Sequence, residues 1–256
     1  ESAYYEYSQK LTNIGQGMEK ALETQMKGER MKIDLITNVS HDLKTPLTSI
    51  IGYVDLLSRD DTLSDEAKDY VTILVKKTER LKDIISDLFE LAKSTSGDIK
   101  VDMEEMDMKR LVEQTLGDMA DQIEESGFGI RYQCNTEHTK FMGDGNRMYR
   151  VVQNVIENAL KYSLKGTRIF IYITEEAGNI VLKVTNTASY EMNFTEEEIM
   201  ERFARAEKSR TSEGNGLGLS IADSFTKNCG GKFEIKIEGD QFTVTIQFKQ
   251  YFKENN

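Results

Sequence analysis

"VSHDLKTPLTSI", residues 39–50, contains the only proline of a 256-residue chain, five positions after one of its two histidines. The apolar residues Ile36, Val39, Leu43, Pro46, Ile50, Tyr53 and Leu57 recur in alternating steps of three and four, the period of a helix with one buried face. Inside such a helix a proline removes the hydrogen bond to the carbonyl of residue 42 and bends the chain, at a cost of ~3 kcal/mol. At roughly 100° per residue, His41 points about 170° away from the centre of the stripe, into solvent, and Thr45 shares its face one turn on. Asp42 beside it can hold one ring nitrogen protonated and leave the other as a nucleophile. An ordinary surface histidine beside a tolerated kink has the same local pattern.

Upstream, Leu11, Ile14, Met18, Leu22 and Met26 form a coiled-coil-like stripe, interrupted near Gly28. Downstream, a polar break at Ser58 to Ser64 is followed by Ala67, Tyr70, Leu74, Leu81, Ile84, Leu88 and Leu91, with a second stripe of Val71, Val75, Ile85 and Phe89. Thr62 and Asp65 are spaced as a helix N-terminal cap. The expectation is an antiparallel helical hairpin whose helices are too widely apolar for one partner each, so that two hairpins form a four-helix bundle and the protein a homodimer.

Past the loop at residues 93–98 the periodicity changes, which sets a boundary near Ser96. Alternating segments around Ile130, and at 168–173, 180–184, 233–237 and 242–248, read as strands, with Gly239-Asp240 as a hairpin turn. Helical patterns fall near 107–125, 146–163 and 217–228. A sheet with helices on one face, a two-layer α/β domain, accounts for the interleaving.

Two segments of this second part carry chemistry. In "NVIENALKY" Asn154 and Asn158 lie on one helix face, with Lys161 and Tyr162 a turn on. Neutral amides can bind a hydrated Mg²⁺ while the lysine reaches a phosphate. In "GNGLGLS" Gly214, Gly216 and Gly218 let a backbone loop close on phosphates ahead of a helix N-terminus. Each alone would describe a polar helix face or a flexible loop.

Taken together, "SHDLKTPLTSI", "NVIENALKY" and "GNGLGLS" resemble, in order and spacing, the phosphoacceptor, asparagine and second glycine boxes of bacterial sensor histidine kinases of two-component systems. The resemblance covers about residues 31–250. It implies an N-terminal signalling helix (1–30), a dimerisation and phosphotransfer hairpin (31–96) and a catalytic ATP-binding domain of two-layer α/β type (97–256). It also implies Mg²⁺ and ATP as cofactors, with Asn158 and Asn154 at the metal, and autophosphorylation of His41, assisted by Asp42. Transfer to an aspartate of a response regulator is implied as well, and a phosphatase activity in which Thr45 orients water. "IMERFARAEKSR" (199–210) resembles the family's phenylalanine box and the start of its ATP lid, which implies Phe203 as a hydrophobic anchor and Arg205, Lys208 and Arg210 near the nucleotide, and the second glycine box adds Leu217 to the nucleotide-binding residues. Asp144 and Arg150 fit its lead-in to the asparagine helix.

One element departs from the family. Where an Asp-x-Gly-x-Gly is usual, the chain reads "VTNTASYEM", with Asn186 at the aspartate position and Ala188 at the first glycine. An amide oxygen still accepts from the adenine amino group but without charge assistance, so retained and weakened ATP binding is expected. The departure also leaves room for a degenerate kinase acting as a dimeric regulator scaffold. The related ATPases of gyrase, mismatch-repair and chaperone type place a glutamate four residues before the metal asparagine to activate water. That position here is Asn154, a poor general base.

Composition narrows the rest. With 44 acidic against 33 basic residues and a formal charge of −11, the chain lacks the cationic excess of a nucleic-acid binder. Cys134 and Cys229 are far apart and read as reduced thiols. No apolar run reaches the ~20 residues of a membrane span. The chain opens on Glu1, and the expectation is the cytoplasmic portion of an inner- or plasma-membrane sensor, joined to the membrane only through a segment upstream.

Overall fold

The computed structural model describes residues 43–60, 62–96, 101–193 and 217–252. The expectations for the Leu11–Met26 stripe, for His41 and Asp42, and for Phe203, Arg205, Lys208, Arg210, Gly214 and Gly216 fall outside those residues. The chain divides into two compact units, Glu1–Asp98 and Ile99–Asn256.

The first unit contains helix α1 (43–58) and helix α2 (Asp65–Ser96). Pro46 lies on the exposed side of α1. Leu47 and Val54 are buried on α1 and Val71, Thr78 and Ile85 on α2, each set recurring at seven-residue steps, the period of a seam between packed helices. The stripe read first from the sequence stays at the surface of the single chain: Leu43, Ile50, Tyr53 and Leu57 on α1, and Tyr70, Leu74 and Leu81 on α2, are all exposed. The cap at the turn differs from expectation. Thr62 turns back, its amide and hydroxyl donating to Asp60 Oδ1 at 2.9 and 2.6 Å, and Ser64 Oγ instead accepts from Ala67 N at 3.3 Å to start α2.

The second unit is built on a five-stranded sheet in the order β2-β4-β5-β7-β6, comprising β2 (Gly129–Cys134), β4 (Arg168–Glu176), β5 (Asn179–Thr187), β6 (Lys232–Glu238) and β7 (Gln241–Lys249). Only the β2/β4 pair is parallel. Ile171 pairs with Val184, Val184 with Val244 and Val244 with Ile235, while Ile173, Leu182, Ile246 and Phe233 form the next row. All of these are buried, so one face of the sheet is a continuous apolar layer. Helices α3 (Met108–Asp118), α5 (Gly145–Tyr162) and α6 (Gly218–Asn228) supply the second layer, α5 presenting Met148, Val151, Val152, Val155, Ile156 and Ala159. Thr185 and Thr243 hydrogen-bond across the opposite, part-exposed face at 2.9 Å.

Two features were not anticipated. A second, two-stranded sheet pairs β1 (Glu104–Asp107) with β3 (Lys140–Gly143). The helical stretch expected over 107–125 is also split at Met119, between α3 and α4 (Ala120–Ser126). The α6-to-β6 turn is sterically tight: a Cβ on Gly231 would lie 2.5 Å from Phe248 Cζ and 2.9 Å from Thr226 Cγ2, and both side chains are buried. Gly231→Ala should therefore lower stability by about 1–3 kcal/mol, read as a lower urea midpoint at unchanged m-value.

Candidate functional site

Helix α5 begins under Asp144, whose carboxylate accepts from Arg147 N and from Asp102 N, each at 3.2 Å. The Arg147 guanidinium pairs with the same carboxylate at 3.5 Å and lies 5.8 Å from the Phe225 ring of α6. Arg147, one turn before Arg150, thus engages Asp144. Its signal was the i, i+3 spacing from the cap.

Along one face of α5 lie Asn154, buried, and Asn158, Lys161 and Tyr162, all half-buried. The C-terminal end of this face is stitched to the end of β5. Leu164 N donates to Thr187 O and Ser189 N to Tyr162 O, both at 2.8 Å, and Ser163 forms a bridge with Ala188. Asn186 follows Ile180, Leu182 and Val184 on the core-facing side of β5 and is 3% exposed, an amide closing an apolar row. Tyr190 stands edge-on to Tyr162 with centroids 6.0 Å apart, and burial, aided by Tyr162, pushes its hydroxyl pKa up. Lys161 Nζ lies 5.1 Å from the Tyr162 centroid.

The other end of the face meets α6. Leu217, just before that helix, is buried, and Gly218 opens it. A Cβ on Gly218 would lie 3.6 Å from Asn154 Oδ1. The backbone N–H groups of the first turn of α6, which have no intrahelical partner, therefore start beside Asn154. From Asn154 to Tyr162 the face rises ~12 Å at 1.5 Å per residue. It runs from the helix N-terminus, suited to phosphates, to the junction with the end of β5, where Tyr162 meets Tyr190.

The donor set suits a polyphosphate with its metal. Among the described residues no group of three or more His, Cys, Asp or Glu could hold a metal ion, so a cation here would rest on neutral amides and on the ligand's own oxygens. Glu157, next to Asn158 but about 100° round the helix from it, accepts from Gln153 Nε2 at 2.8 Å. Tyr190 is the site residue that sequence reasoning missed. It stood inside a quoted motif, but its place beside Tyr162 arises only from packing.

Two family models match the chain: the His Kinase A (phospho-acceptor) domain over residues 31–97, and the histidine kinase-, DNA gyrase B- and HSP90-like ATPase over 143–250. The sensor protein VanSC of Enterococcus gallinarum is 30% identical over 250 residues, which is 95% of this chain and 68% of that protein. The chain belongs to the sensor histidine kinases. The sensor histidine kinase YcbM of Bacillus subtilis is 28% identical over 231 residues, covering 88% of this kinase and 74% of the relative. Among solved structures, full-length ShkA in complex with AMPPNP superposes with a TM-score of 0.73 at 22% identity, over 86% of this kinase and 47% of that chain. The enzyme is therefore a protein histidine kinase with an ATP-binding domain, and the helical region followed by a mixed α/β sheet is the fold of its structural neighbours. Among the described residues no helix is long and apolar enough to cross a membrane.

Proposed function

We propose that this kinase phosphorylates its own His41 from Mg-ATP and passes the phosphoryl group to an aspartate of a response-regulator receiver domain. The observation that carries the proposal is the single face of α5, which links the α6 N-terminus at Asn154 to the junction with the end of β5, where Tyr162 meets Tyr190. Polyphosphate lies at the first end, where α6 and Gly218 offer backbone amides, and Lys161, two turns along the same face, would reach back to it as a point charge. Adenine lies at the second, its amino group donating to Asn186 Oδ1. Phe203, Arg205, Lys208 and Arg210 cover the nucleotide, as the family resemblance implies. Mg²⁺ would be held by Asn158, the more open of the two asparagines, and when bound it neutralises charge on the phosphates.

In the chemical step the imidazole nitrogen of His41 forms a bond to the γ-phosphorus as the bond to the β,γ-bridging oxygen breaks and ADP leaves. Asp42 holds the proton on the other ring nitrogen and stabilises the cation that develops. The exposed apolar stripes of α1 and α2 are the surface on which a second copy of the hairpin packs, giving the homodimer. The membrane connection, in this proposal, is made outside this chain.

Incubation with γ-labelled ATP and Mg²⁺ tests the proposal. Label that is stable in alkali and lost in acid supports phosphohistidine, and absence of label would overturn it in favour of a regulator-binding scaffold. The Asn186 substitution of the usual aspartate is what keeps that second reading open.

Two substitutions probe the parts. Asn186→Ala should raise the Kd for ATP roughly tenfold, the worth of one hydrogen bond with its buried partner left unpaired. Isothermal titration showing an unchanged Kd would remove Asn186 from the adenine site. Thr45 is exposed on α1, with its carbonyl accepting from Ser49 Oγ at 3.4 Å. Thr45→Ala should leave autophosphorylation within about twofold and slow dephosphorylation of the phosphorylated regulator at least tenfold. Equal loss of both activities would place Thr45 in the fold of the helix instead.

A further inference from the structure

We infer that the outer edge of β2, with the apolar groove beside it, is a docking site for an extended polypeptide segment of another protein that carries lysine or arginine near an apolar side chain. The inference stands apart from the nucleotide site and does not depend on it.

Three observations meet at this edge. The first is an uncovered margin of the core. Ile130 and Tyr132 pair with Ile169 and Ile171, which are fully buried, yet are themselves only half-buried because β2 ends the sheet. Between the start of β2 and the α3 to α4 segment lies a groove of about 560 Å³, lined by Leu116, Ala120, Ile123, Phe128 and Ile130, with Glu124 at its side. No residue of α4 is buried.

The second is the backbone. Asn135 N donates to Ile173 O at 2.8 Å, and in a parallel ladder alternate residues bond to the same neighbour. Arg131 and Gln133 therefore face β4, and the N–H and C=O groups of Ile130, Tyr132 and Cys134 point outward, with no backbone partner among the described residues. The opposite edge of the sheet is guarded, since β6 carries the ion pairs of Lys232 with Glu234 and Lys236 with Glu238, a charged row that discourages strand addition. β2, "GIRYQC", has Arg131 as its one charge.

The third is electrostatic. α4, "ADQIEES", has three carboxylates and no cation. Asp121, Glu124 and Glu125 are exposed and have no ion pair among the described residues. Glu124 and Glu125 stand in the last turn, where the helix's own carbonyls already make the field negative, so they weaken α4 as it stands. Cations brought by a partner would offset that placement.

A strand added along β2 would continue the ladder and set one apolar side chain in the groove against Ile130. A lysine or arginine two residues away shares that face and reaches the α4 carboxylates. A second copy of this chain is the poorer occupant, because pairing two β2 edges brings the acidic α4 segments of a chain of charge −11 towards each other.

The probe is the fluorescein-labelled peptide Thr-Lys-Thr-Ile-Thr-Lys-Thr, whose lysines and isoleucine share one face of a strand, titrated with the whole chain and followed by anisotropy. It should bind with a sub-millimolar Kd, more weakly as salt rises, and its counterpart with glutamate for lysine should bind roughly tenfold more weakly or worse. Changing Glu124→Lys and Glu125→Lys together should cost the lysine peptide a similar factor while leaving the melting temperature equal or higher, since cations suit that helix end. Hydrogen exchange read amide by amide supplies a second measure on the unaltered chain. The peptide should slow exchange at Ile130, Tyr132 and Cys134 and leave Arg131 and Gln133, already bonded to β4, as they were. No binding at millimolar concentration, equal binding of the two peptides, or protection confined to other amides would overturn the inference. Protection of the same three amides that rises with protein concentration in the absence of peptide would overturn it in favour of a second copy.

Discussion

Replacing His41 by glutamine is expected to abolish label transfer from γ-labelled ATP to the protein, to below one part in a thousand of the unaltered chain, while ADP and ATP still bind with unchanged affinity. Glutamine keeps a polar planar end of similar size but has no nitrogen lone pair able to attack phosphorus, because its amide nitrogen is delocalised into the carbonyl. A covalent route that loses its nucleophile has no residual path, unlike the loss of a single stabilising contact. Autoradiography after alkaline gel electrophoresis, beside titration of nucleotide, separates the two halves of the expectation. Retained label would send the phosphoryl group to another side chain and leave His41 without a role.

The second large effect is at Asn158. Asn158→Ala should lower the autophosphorylation rate at saturating ATP by about a hundredfold or more, equivalent to ~2.7 kcal/mol of activation free energy. The reason is charge. The γ-phosphoryl group approaches a neutral imidazole carrying several negative oxygens, and a metal displaced from its site stabilises neither the group in flight nor the departing ADP. Raising Mg²⁺ should restore part of the rate, because the nucleotide still carries the ion at reduced affinity. A rate insensitive to the substitution, measured by label incorporation over time, would remove Asn158 from the metal. Asn158 tolerates alanine structurally, being only half-buried on α5.

Much of the architecture could be read from residue patterns because the strands alternate cleanly. Ile169, Ile171 and Ile173, then Ile180, Leu182 and Val184, leave no choice of period or facing, and the hairpin at Gly239, with φ of 58°, falls where its glycine promised. The strand β1 was hidden because "EEMD" is short and acidic with Met106 as its one apolar residue, too few for an alternation to show, and its pairing with β3, Met106 opposite Phe141, depends on chain that lies far away in sequence. The break at Met119 was hidden for a related reason, since neither proline nor glycine occupies the joint itself.

At the site, helical spacing placed Asn154, Asn158, Lys161 and Tyr162 on a common face, because that depends on α5 alone. Which asparagine is open and which is sealed depends on where α6 packs, and no local period carries that. Tyr190 makes the same point: the pairing of residues 162–164 with 187–189 brings it to Tyr162, and no local period carries that pairing.

The strands β5 and β7 are direct neighbours, and Ala188 N donates to Asp240 O at 2.7 Å where one leaves the sheet and the other approaches it. Between those residues the chain also forms α6 and β6, and β6 is the edge strand of the same sheet, so whatever leaves at Ala188 has to come back to pair with β7. Insertions here are therefore tolerated only where they leave the β6–β7 hairpin and α6 in place.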